Sequence, residues 1–511
     1  NFVGKPRPPP GVWGPRWRGN WGGGGGGGPP PPPPRPPPHC NAPPNTPCPP
    51  PGLPRPPRTT PTNRQITAAL PTAQPMLNSK ETRNIGYPMT FLQITSALIV
   101  LAGAFGAINY LFLKLPSSIG ILVVSLLASM VMLGVDQLAP GLGIADNARQ
   151  VVTGIDFSDA LLEGMLGLLL FAGALHVPIS ELRQQWRVVA LMATLGVGLS
   201  TAIVGFGFSW ITGMPLMVAL VFGALISPTD PVAVLGVLRS ANLRKSLETK
   251  IAGESLFNDG VGYVVFLVLV GLAFPGGDAH GVAGDHGGDS ALTGAAKLFV
   301  QEAVGGALLG ITLGWLVFRV MRLIDDYSLE VLITLGLAFG GYELAVALHV
   351  SAPIMAVCAG LLIGDIGAKH GMSEETRKYV DAFWKLIDEI LNAVLFLLIG
   401  LEVFAVTFTS DLLVAGTMAI ALALFARLAA VAVPVLLLQP FRGFSGGVIP
   451  IMTWGGLKGG ISVALALSLP DSEWKPLILT ATYMVVIFSI IVQGLTVAKL
   501  ANRVGRTPDL M

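Results

Sequence analysis

An almost unbroken series of apolar segments runs from Phe91 to about residue 500, and this feature restricts the fold more than any other. A helix that crosses a bilayer needs roughly 20 mainly apolar residues, and the sequence supplies such segments one after another. Charged residues make up 12% of the chain and hydrophobic residues 52%, whereas about a quarter of the residues in soluble domains are charged. So few charges would leave most of a globular surface uncovered. We therefore predict an all-α polytopic membrane protein.

The apolar segments divide into about thirteen predicted transmembrane spans. The spans lie near residues 92–113, 117–135, 158–176, 188–211, 214–238, 248–273, 295–318, 328–348, 351–364, 386–409, 413–438, 449–470 and 476–498. Basic residues concentrate in the short loops on one side, as at Arg183, Arg187 and Arg244, and such loops favour the cytoplasm. This places the C-terminus in the cytoplasm and, with an odd number of spans, the N-terminus outside. We expect the spans to lie in the inner membrane.

The sequence divides into three predicted regions, which are residues 1–75, 90–500 and 501–511. The first is rich in proline and glycine, a composition that cannot bury enough apolar area to fold, so we expect it to be disordered. It lacks the apolar segment of a signal peptide, and we hypothesise that it is not part of the native protein, whose start would then be Met76 or Met89. The second region is the predicted transmembrane domain. The third is a short cytoplasmic tail.

The fifth predicted span carries an aspartate next to two prolines at membrane depth. Pro228 and Pro231 enclose Thr229 and Asp230, and each proline removes a backbone donor and frees a carbonyl. A charge at this depth costs about 2.5–3.5 kcal/mol even on a lenient insertion scale, so it needs a partner or a function. We predict that the helix breaks here, and that the helix ends and free carbonyl oxygens suit a small cation.

The sixth predicted span carries four polar side chains within six residues. Ser255 and Asp259 lie four residues apart and share one face of a helix, and Glu254 and Asn258 share the neighbouring face. At about 1.5 Å per residue, Asp230 and Asp259 both lie near the middle of the membrane. The spacing therefore permits the two carboxylates to meet.

A second interrupted span lies seven spans after the fifth and contains a glycine-rich run. Residues 455–460 are Gly-Gly-Leu-Lys-Gly-Gly, and the odd separation makes the two interrupted spans run in opposite directions. Paired broken helices in corresponding positions indicate an inverted repeat and the central binding site of a transporter. Lys458 would supply a positive charge near the crossing, and Arg427 is the expected partner of Glu254, because an unpaired buried arginine would be costly.

These three runs resemble a known family. Ser-Pro-Thr-Asp-Pro at 227–231, Gly-Glu-Ser-Leu-Phe-Asn-Asp-Gly at 253–260 and the run at 455–460 are similar to those of monovalent cation:proton antiporters of the bacterial NhaP and animal NHE type. The resemblance covers roughly residues 90–500, and it implies that this region is a transmembrane cation/proton exchanger domain. It implies about 13 transmembrane helices with inverted repeats and two broken, crossing helices, usually assembled as a homodimer.

The resemblance also implies a site and an activity. The ion- and proton-binding residues would be Asp230, Asp259, Asn258, Thr229 and Ser255, with Asp230 and Asp259 as ligands of the transported Na⁺. Glu254 and Arg427 would form a structural ion pair, and Lys458 would compensate charge. The implied activity is secondary active transport that exchanges Na⁺, or Li⁺ as a further candidate, for H⁺. Asn258 next to Asp259 would mark this exchange as electroneutral. Such a protein would serve pH and sodium homeostasis and would not be an enzyme.

Two positions differ from many relatives. Lys458 stands where many have arginine, and Ala172 follows Phe171 where a glutamate is often found. The second difference leaves open which residue supplies one of the ion ligands. Glu163, two turns earlier, is a candidate substitute. A partly desolvated carboxylate that binds either a cation or a proton, but never both, couples the two fluxes by competition.

The same sequence leaves other functions open. The sequence does not rank sodium, lithium and potassium, so a K⁺/H⁺ antiporter is the main alternative. An intramembrane aspartyl protease would use Gly364-Asp365, and a cation channel would need a repeated filter sequence. The net charge of +2 gives no indication of a nucleic-acid partner. The three cysteines, Cys40, Cys48 and Cys358, match no metal-ligand spacing, and we expect no cofactor beyond the transported ions.

Overall fold

The computed structural model describes residues 91–138, 160–230, 245–274, 291–368, 371–404, 409–440 and 447–504. Within these ranges the chain consists of helices joined by short turns and contains no β-strand. The predicted tail 1–75 and the end of the predicted tail 501–511, from residue 505, lie outside the described residues.

The helices follow one another in a simple order. They are α1 (Phe91–Ile108), α2 (Ser117–Leu138), α3 (Leu166–Leu175), α4 (Ile179–Leu191), α5 (Val197–Thr212), α6 (Leu216–Ile226), α7 (Lys245–Ala273), α8 (Ala291–Met321), α9 (Tyr327–Ala347), α10 (Ala352–Leu362), α11 (Glu374–Leu401), α12 (Ser410–Leu438), α13 (Val448–Trp454), α14 (Gly460–Leu467), α15 (Lys475–Phe488) and α16 (Gly494–Val504). Wider π-helical turns extend or join some of them, over Asn109–Leu113, Ala160–Met165, Met192–Gly196, Ile363–Gly367 and Ser489–Gln493.

The helices have the length and composition of membrane spans. Eight helical segments of the described residues are long and apolar enough to cross a bilayer, and the shorter helices α3, α6 and α10 are also apolar. Every predicted span contains helix in the described residues. The prediction of an all-helical, multi-pass membrane protein is therefore confirmed, whereas the count of thirteen crossings stays a prediction.

Helix α11 begins earlier than the sequence pattern predicted. Its first residue is Glu374, twelve residues before the predicted span near 386–409, and the side chain of Ser373 caps it by accepting a hydrogen bond from the Thr376 N–H at 3.3 Å. The first half buries Val380 and Trp384 on one face and carries charged residues on the other. A hydropathy pattern misses such a segment because its mean polarity is high.

The helices pack into two bundles. The first contains α1–α3 and α8–α11, in which α10 packs against α3, α8 and α9, and α11 packs against α2. The second contains α4–α7 and α12–α16, in which α5 packs against α6 and α12, and α7 packs against α4 and α6. The interrupted segments that the sequence singled out all belong to the second bundle.

A glycine brings α5 and α6 into close contact. An added Cβ on Gly223 would lie 2.4 Å from the carbonyl oxygen of Thr201, so a larger residue would push the two backbones apart. Small residues allow such close approach between membrane helices, where packing drives association. This contact fixes the position of the last turn of α6, just before the chain leaves the helix.

Candidate functional site

The first interruption follows the end of α6. The helix ends at Ile226, and the chain continues without helix through Pro228 and Asp230. The Asp230 N–H donates to the carbonyl of Leu457 at 2.8 Å. Backbone at this depth therefore finds its partner in another interrupted segment, as the membrane interior requires. The second proline of the predicted break, Pro231, lies outside the described residues.

The second interruption separates α13 from α14. The chain is non-helical from residue 456 to residue 459, and the N–H of Lys458 donates to Ser489 Oγ at 2.8 Å. The Lys458 ammonium donates to the carbonyls of Ser227 at 2.9 Å and Pro228 at 3.2 Å. An added Cβ on Gly459 would lie 2.7 Å from Asp230 Oδ2. The two interruptions thus cross in direct contact.

Asn258 on α7 connects this crossing to the sixth predicted span. Its amide nitrogen donates to Thr229 Oγ1 at 2.8 Å and to Glu254 Oε1 at 3.1 Å, and its carbonyl oxygen accepts from the Thr229 N–H at 3.3 Å. Thr229 Oγ1 also lies 3.0 Å from Ser255 Oγ. The Asn258 amide is therefore engaged in holding the interrupted segment against α7.

Glu254 and Arg427 form a buried, two-point ion pair. The Arg427 guanidinium donates to Glu254 Oε1 at 2.5 Å and to Oε2 at 2.7 Å, and it also donates to the Met452 carbonyl at 3.2 Å. Glu254 is 1% exposed and Arg427 is 6% exposed. The fork geometry of the guanidinium matches a carboxylate at two points, so the pair carries little net charge towards the rest of the site.

The two predicted ion-binding aspartates, Asp230 and Asp259, line one cavity. The cavity has a volume of about 60 Å³, enough for a few water molecules. Asp259 is 4% exposed, and its Oδ1 has no hydrogen-bond partner among the described residues. Thr229 also lines the cavity. Oxygen ligands are what a hard monovalent cation prefers, and a buried carboxylate oxygen without a donor is available for a cation or a proton.

Four of the other predicted residues lie behind this cavity. Asn258, Ser255, Glu254 and Arg427 form a layer behind Thr229 and do not line the cavity itself. Ala172 is buried within α3, and the side chain of Glu163 lies outside the described residues. Asp365, on which a protease would depend, follows α10 in the turn Ile363–Gly367 and is not among the residues that line the cavity.

Two polar residues of the cavity wall were missed in the sequence. Asn392 on α11 and Ser462 on α14 both line the cavity and are 3% and 1% exposed. The available signal was an amide inside an apolar stretch, between Leu391 and Ala393. The sequence did not show that this amide lines the same cavity as Asp259, because α11 and α7 are far apart along the chain.

Comparison with known proteins supports the same assignment. A family model described as "Sodium/hydrogen exchanger, transmembrane" matches residues 95–503. The Na⁺/H⁺ antiporter NhaP of Pseudomonas aeruginosa is 46% identical over 426 residues, which cover 81% of this chain and 97% of that protein. The Na⁺/H⁺ antiporter NhaH of Halobacillus aidingensis is 34% identical over 423 residues, covering 82% and 99%.

The fold also has a solved relative. The structure of the sodium proton antiporter MjNhaP1 from Methanocaldococcus jannaschii at pH 8 matches with a TM-score of 0.63 and 20% sequence identity. The match covers 82% of this chain and 100% of that chain. At this identity the likeness concerns the fold, and it agrees with the all-helical arrangement. The family that the sequence motifs indicated is confirmed, and the chain belongs to the sodium/hydrogen exchanger family.

Proposed function

We propose that the protein exchanges Na⁺ for H⁺ across the membrane at the cavity lined by Asp230 and Asp259. The observation that carries the proposal is the buried Asp259 carboxylate, whose Oδ1 faces no donor in the described residues although it lies beside a cavity. Leaving a charged oxygen buried without a partner is costly. A proton or a sodium ion would each satisfy it, and the two would exclude one another.

The second aspartate has a different role in the proposal. Asp230 is held by its backbone to the opposite interruption through Leu457, and its side chain touches Gly459. It is only partly buried. We assign it to the ligation of the cation from the side of the broken helices, while Asp259 carries the proton. Thr229 lines the same cavity and would supply its hydroxyl or carbonyl oxygen.

The charges behind the cavity favour exchange of one cation for one proton. Glu254 is neutralised by Arg427, and Asn258 is neutral and already hydrogen-bonded. The positive charge of Lys458 lies against the carbonyls at the end of α6, where the helix dipole is negative. Binding Na⁺ in place of H⁺ then leaves the charge of the site unchanged, which we infer makes transport electroneutral.

The setting in the cell is also proposed. We place the protein in the inner membrane as a multi-pass homodimer with its C-terminus in the cytoplasm. The concentration of basic residues in the loops on one side supports the cytoplasmic C-terminus. The homodimer and the inner membrane follow from the family resemblance. A role in pH and sodium homeostasis follows from the exchange itself.

Sodium-driven proton movement in proteoliposomes tests the proposal. A pH-sensitive dye inside the vesicles reports exchange when NaCl, LiCl or KCl is added outside. We expect the dye signal to recover when sodium is added, and this recovery to be lost in Asp259→Asn. The rate of recovery should not depend on a membrane potential set with valinomycin and potassium. Recovery with potassium but not sodium would support the K⁺/H⁺ alternative. Undiminished recovery in Asp259→Asn would contradict the assigned site.

A further inference from the structure

The cavity has two walls of different chemistry. The wall from the second bundle presents Asp230, Asp259, Thr229 and Ser462. The wall from the first bundle consists of Leu166, Leu169, Leu170, Gly173, Asn392 and Leu395. Asn392 is therefore the only polar side chain that the first bundle contributes to the cavity lining in the described part of the chain.

The hydrogen bonds of Asn392 fix the orientation of its amide. Its Nδ2 donates to the carbonyl oxygen of Asp388 at 2.7 Å and to Asp388 Oδ1 at 2.9 Å. A backbone carbonyl accepts hydrogen bonds and cannot donate them, so the nitrogen of the amide must point at Asp388. Both N–H groups are then engaged, and the polar atom that remains is the carbonyl oxygen Oδ1.

Among the described residues, this oxygen accepts no hydrogen bond. The hydrogen bonds of Asn392 in the described residues run to Asp388 alone, and Asn392 is 3% exposed. Because Asn392 lines the cavity, water or a cation there can supply the missing partner of this oxygen. An amide oxygen is a ligand that hard cations accept.

We propose that Asn392 is a cation-contacting, specificity-determining residue of the exchange site, and that Asp388 is the positioning residue that aims its oxygen into the cavity. The proposal rests on the proposed function of the Asp230 and Asp259 site. It adds a ligand from the first bundle to ligands that otherwise all come from the second. The wall of α3 offers no side-chain oxygen, because it presents Leu166, Leu169, Leu170 and Gly173 to the cavity.

A ligand on the opposite wall has a mechanical consequence. A dehydrated cation between Asp259 and Asn392 draws the two bundles together, whereas a proton binds to the Asp259 carboxylate alone and needs no ligand from the first bundle. The cavity wall then responds differently to its two substrates. Because the ligands sit on separate bundles, the distance between them also sets the cation size that fits, so selectivity between Na⁺ and Li⁺ is expected to depend on Asn392.

The test compares initial exchange rates of variants in proteoliposomes as a function of sodium and of lithium concentration. Asn392→Leu removes the oxygen at similar volume, Asp388→Leu removes the side-chain acceptor that orients the amide, and Asp388→Asn retains such an acceptor. Ile390→Ala, on an outward-facing position of the same helix, is the control.

We expect Asn392→Leu to raise the KM for sodium about tenfold, the effect of losing one ligand interaction of about 1.4 kcal/mol, and to change the ratio of the lithium and sodium KM values. Asp388→Leu should shift the KM in the same direction, Asp388→Asn should recover most of the shift, and Ile390→Ala should resemble the wild type. A purely structural role would lower the maximal rate, by reducing the amount of folded protein, without moving the KM.

Two results would overturn the proposal. If Asn392→Leu retains the sodium KM and the lithium-to-sodium ratio of the wild type while the wild type exchanges sodium, Asn392 is not a ligand although the proposed function stands. If the wild type shows no sodium-dependent exchange, both fall together.

Discussion

Glu254 and Arg427 show how a charge is retained at membrane depth. The two hydrogen bonds between them measure 2.5 and 2.7 Å, and neither residue is more than 6% exposed. Burying two charges costs several kcal/mol per ion, and their attraction repays this only with good geometry. An added Cβ on Gly456 would lie 2.0 Å from Arg427 Nε, so the second interruption leaves the room that the guanidinium occupies.

Removing one partner of this pair should destabilise the protein strongly. We expect Arg427→Met to lower the free energy of unfolding by about 3–5 kcal/mol, because it leaves the Glu254 carboxylate buried without its cation. Adding Glu254→Leu should recover part of the loss, since the uncompensated charge disappears. Thermal unfolding of the purified variants in detergent measures both effects. A double variant less stable than Arg427→Met alone would contradict this interpretation.

Glu330 on α9 is a buried acid that the sequence analysis did not single out. It is fully buried, and neither of its carboxyl oxygens has a hydrogen-bond partner among the described residues. We expect Glu330→Leu to stabilise the protein by about 1–3 kcal/mol, because it removes unpaired polar atoms from the interior. Glu330→Gln is the matched control, since it keeps two polar atoms and should gain less. Equal or lower stability of Glu330→Leu in thermal unfolding would show that the carboxyl group has a partner.

The sequence predicted part of the site at this scale. The spacing of residues 254–259 placed two pairs of polar side chains on adjacent helix faces, and the structure brings Asn258 into contact with both Glu254 and Thr229. Helical periodicity relates residues within one helix. It does not say which face of α11 meets the cavity, so Asn392 remained unpredicted.

The interrupted helices are the elements that create the site. The carbonyls of Ser227 and Pro228, just past the end of α6, accept hydrogen bonds from the Lys458 ammonium. In lipid these carbonyls have no water to bind, so the lysine both satisfies them and opposes the negative end of the helix dipole. One interruption therefore stabilises the other.

Loss of the Lys458 ammonium should weaken this crossing. We expect Lys458→Met to lower the free energy of unfolding by at least about 1–3 kcal/mol, because two buried carbonyls lose a donor, and to reduce exchange. Lys475→Met is the control, since Lys475 pairs at 3.1 Å with the fully exposed Asp471, and exposed pairs contribute little. Thermal unfolding and proteoliposome exchange measure the outcome. Equal stability of the two variants would contradict a structural role for Lys458.

The positions of the helix interruptions can be predicted from sequence, whereas the residues that contact them are harder to predict. Proline beside Asp230 and the glycine pairs around Lys458 mark the breaks, because proline removes a donor and glycine disfavours helix. Helix α11 begins twelve residues before the predicted span near 386–409, because the first half of the helix is amphipathic. The contact between Asp230 and Leu457 joins residues far apart in the chain, which local patterns cannot supply.

The whole molecule places one polar wall and one mainly apolar wall around a shared cavity. The second bundle carries both interruptions and both aspartates, while the first presents leucines and Asn392. Movement of one bundle against the other would open the cavity to each side of the membrane in turn, as in other transporters built on interrupted helices.

The exchanger should not require the Pro/Gly-rich N-terminal tract. The family match covers residues 95–503, and the cavity is lined by residues from Leu166 to Ser462. We therefore expect a chain that begins at Met76 to show the same sodium KM and maximal rate per folded molecule as the full chain. Proteoliposome exchange of the two chains, normalised to folded protein, makes the comparison. Loss of exchange in the shorter chain would assign the tract a role in transport.

The central claim is that one carboxylate site holds either sodium or a proton. The most direct test titrates sodium into the purified protein in weakly buffered solution and measures the released protons with a pH dye. At a pH where the site is protonated, we predict about one proton released per sodium bound, because the two compete for Asp259. Asp259→Asn should bind no sodium at this site and release no proton. Sodium binding without proton release in the wild type, or unchanged release in Asp259→Asn, would contradict competition at Asp259.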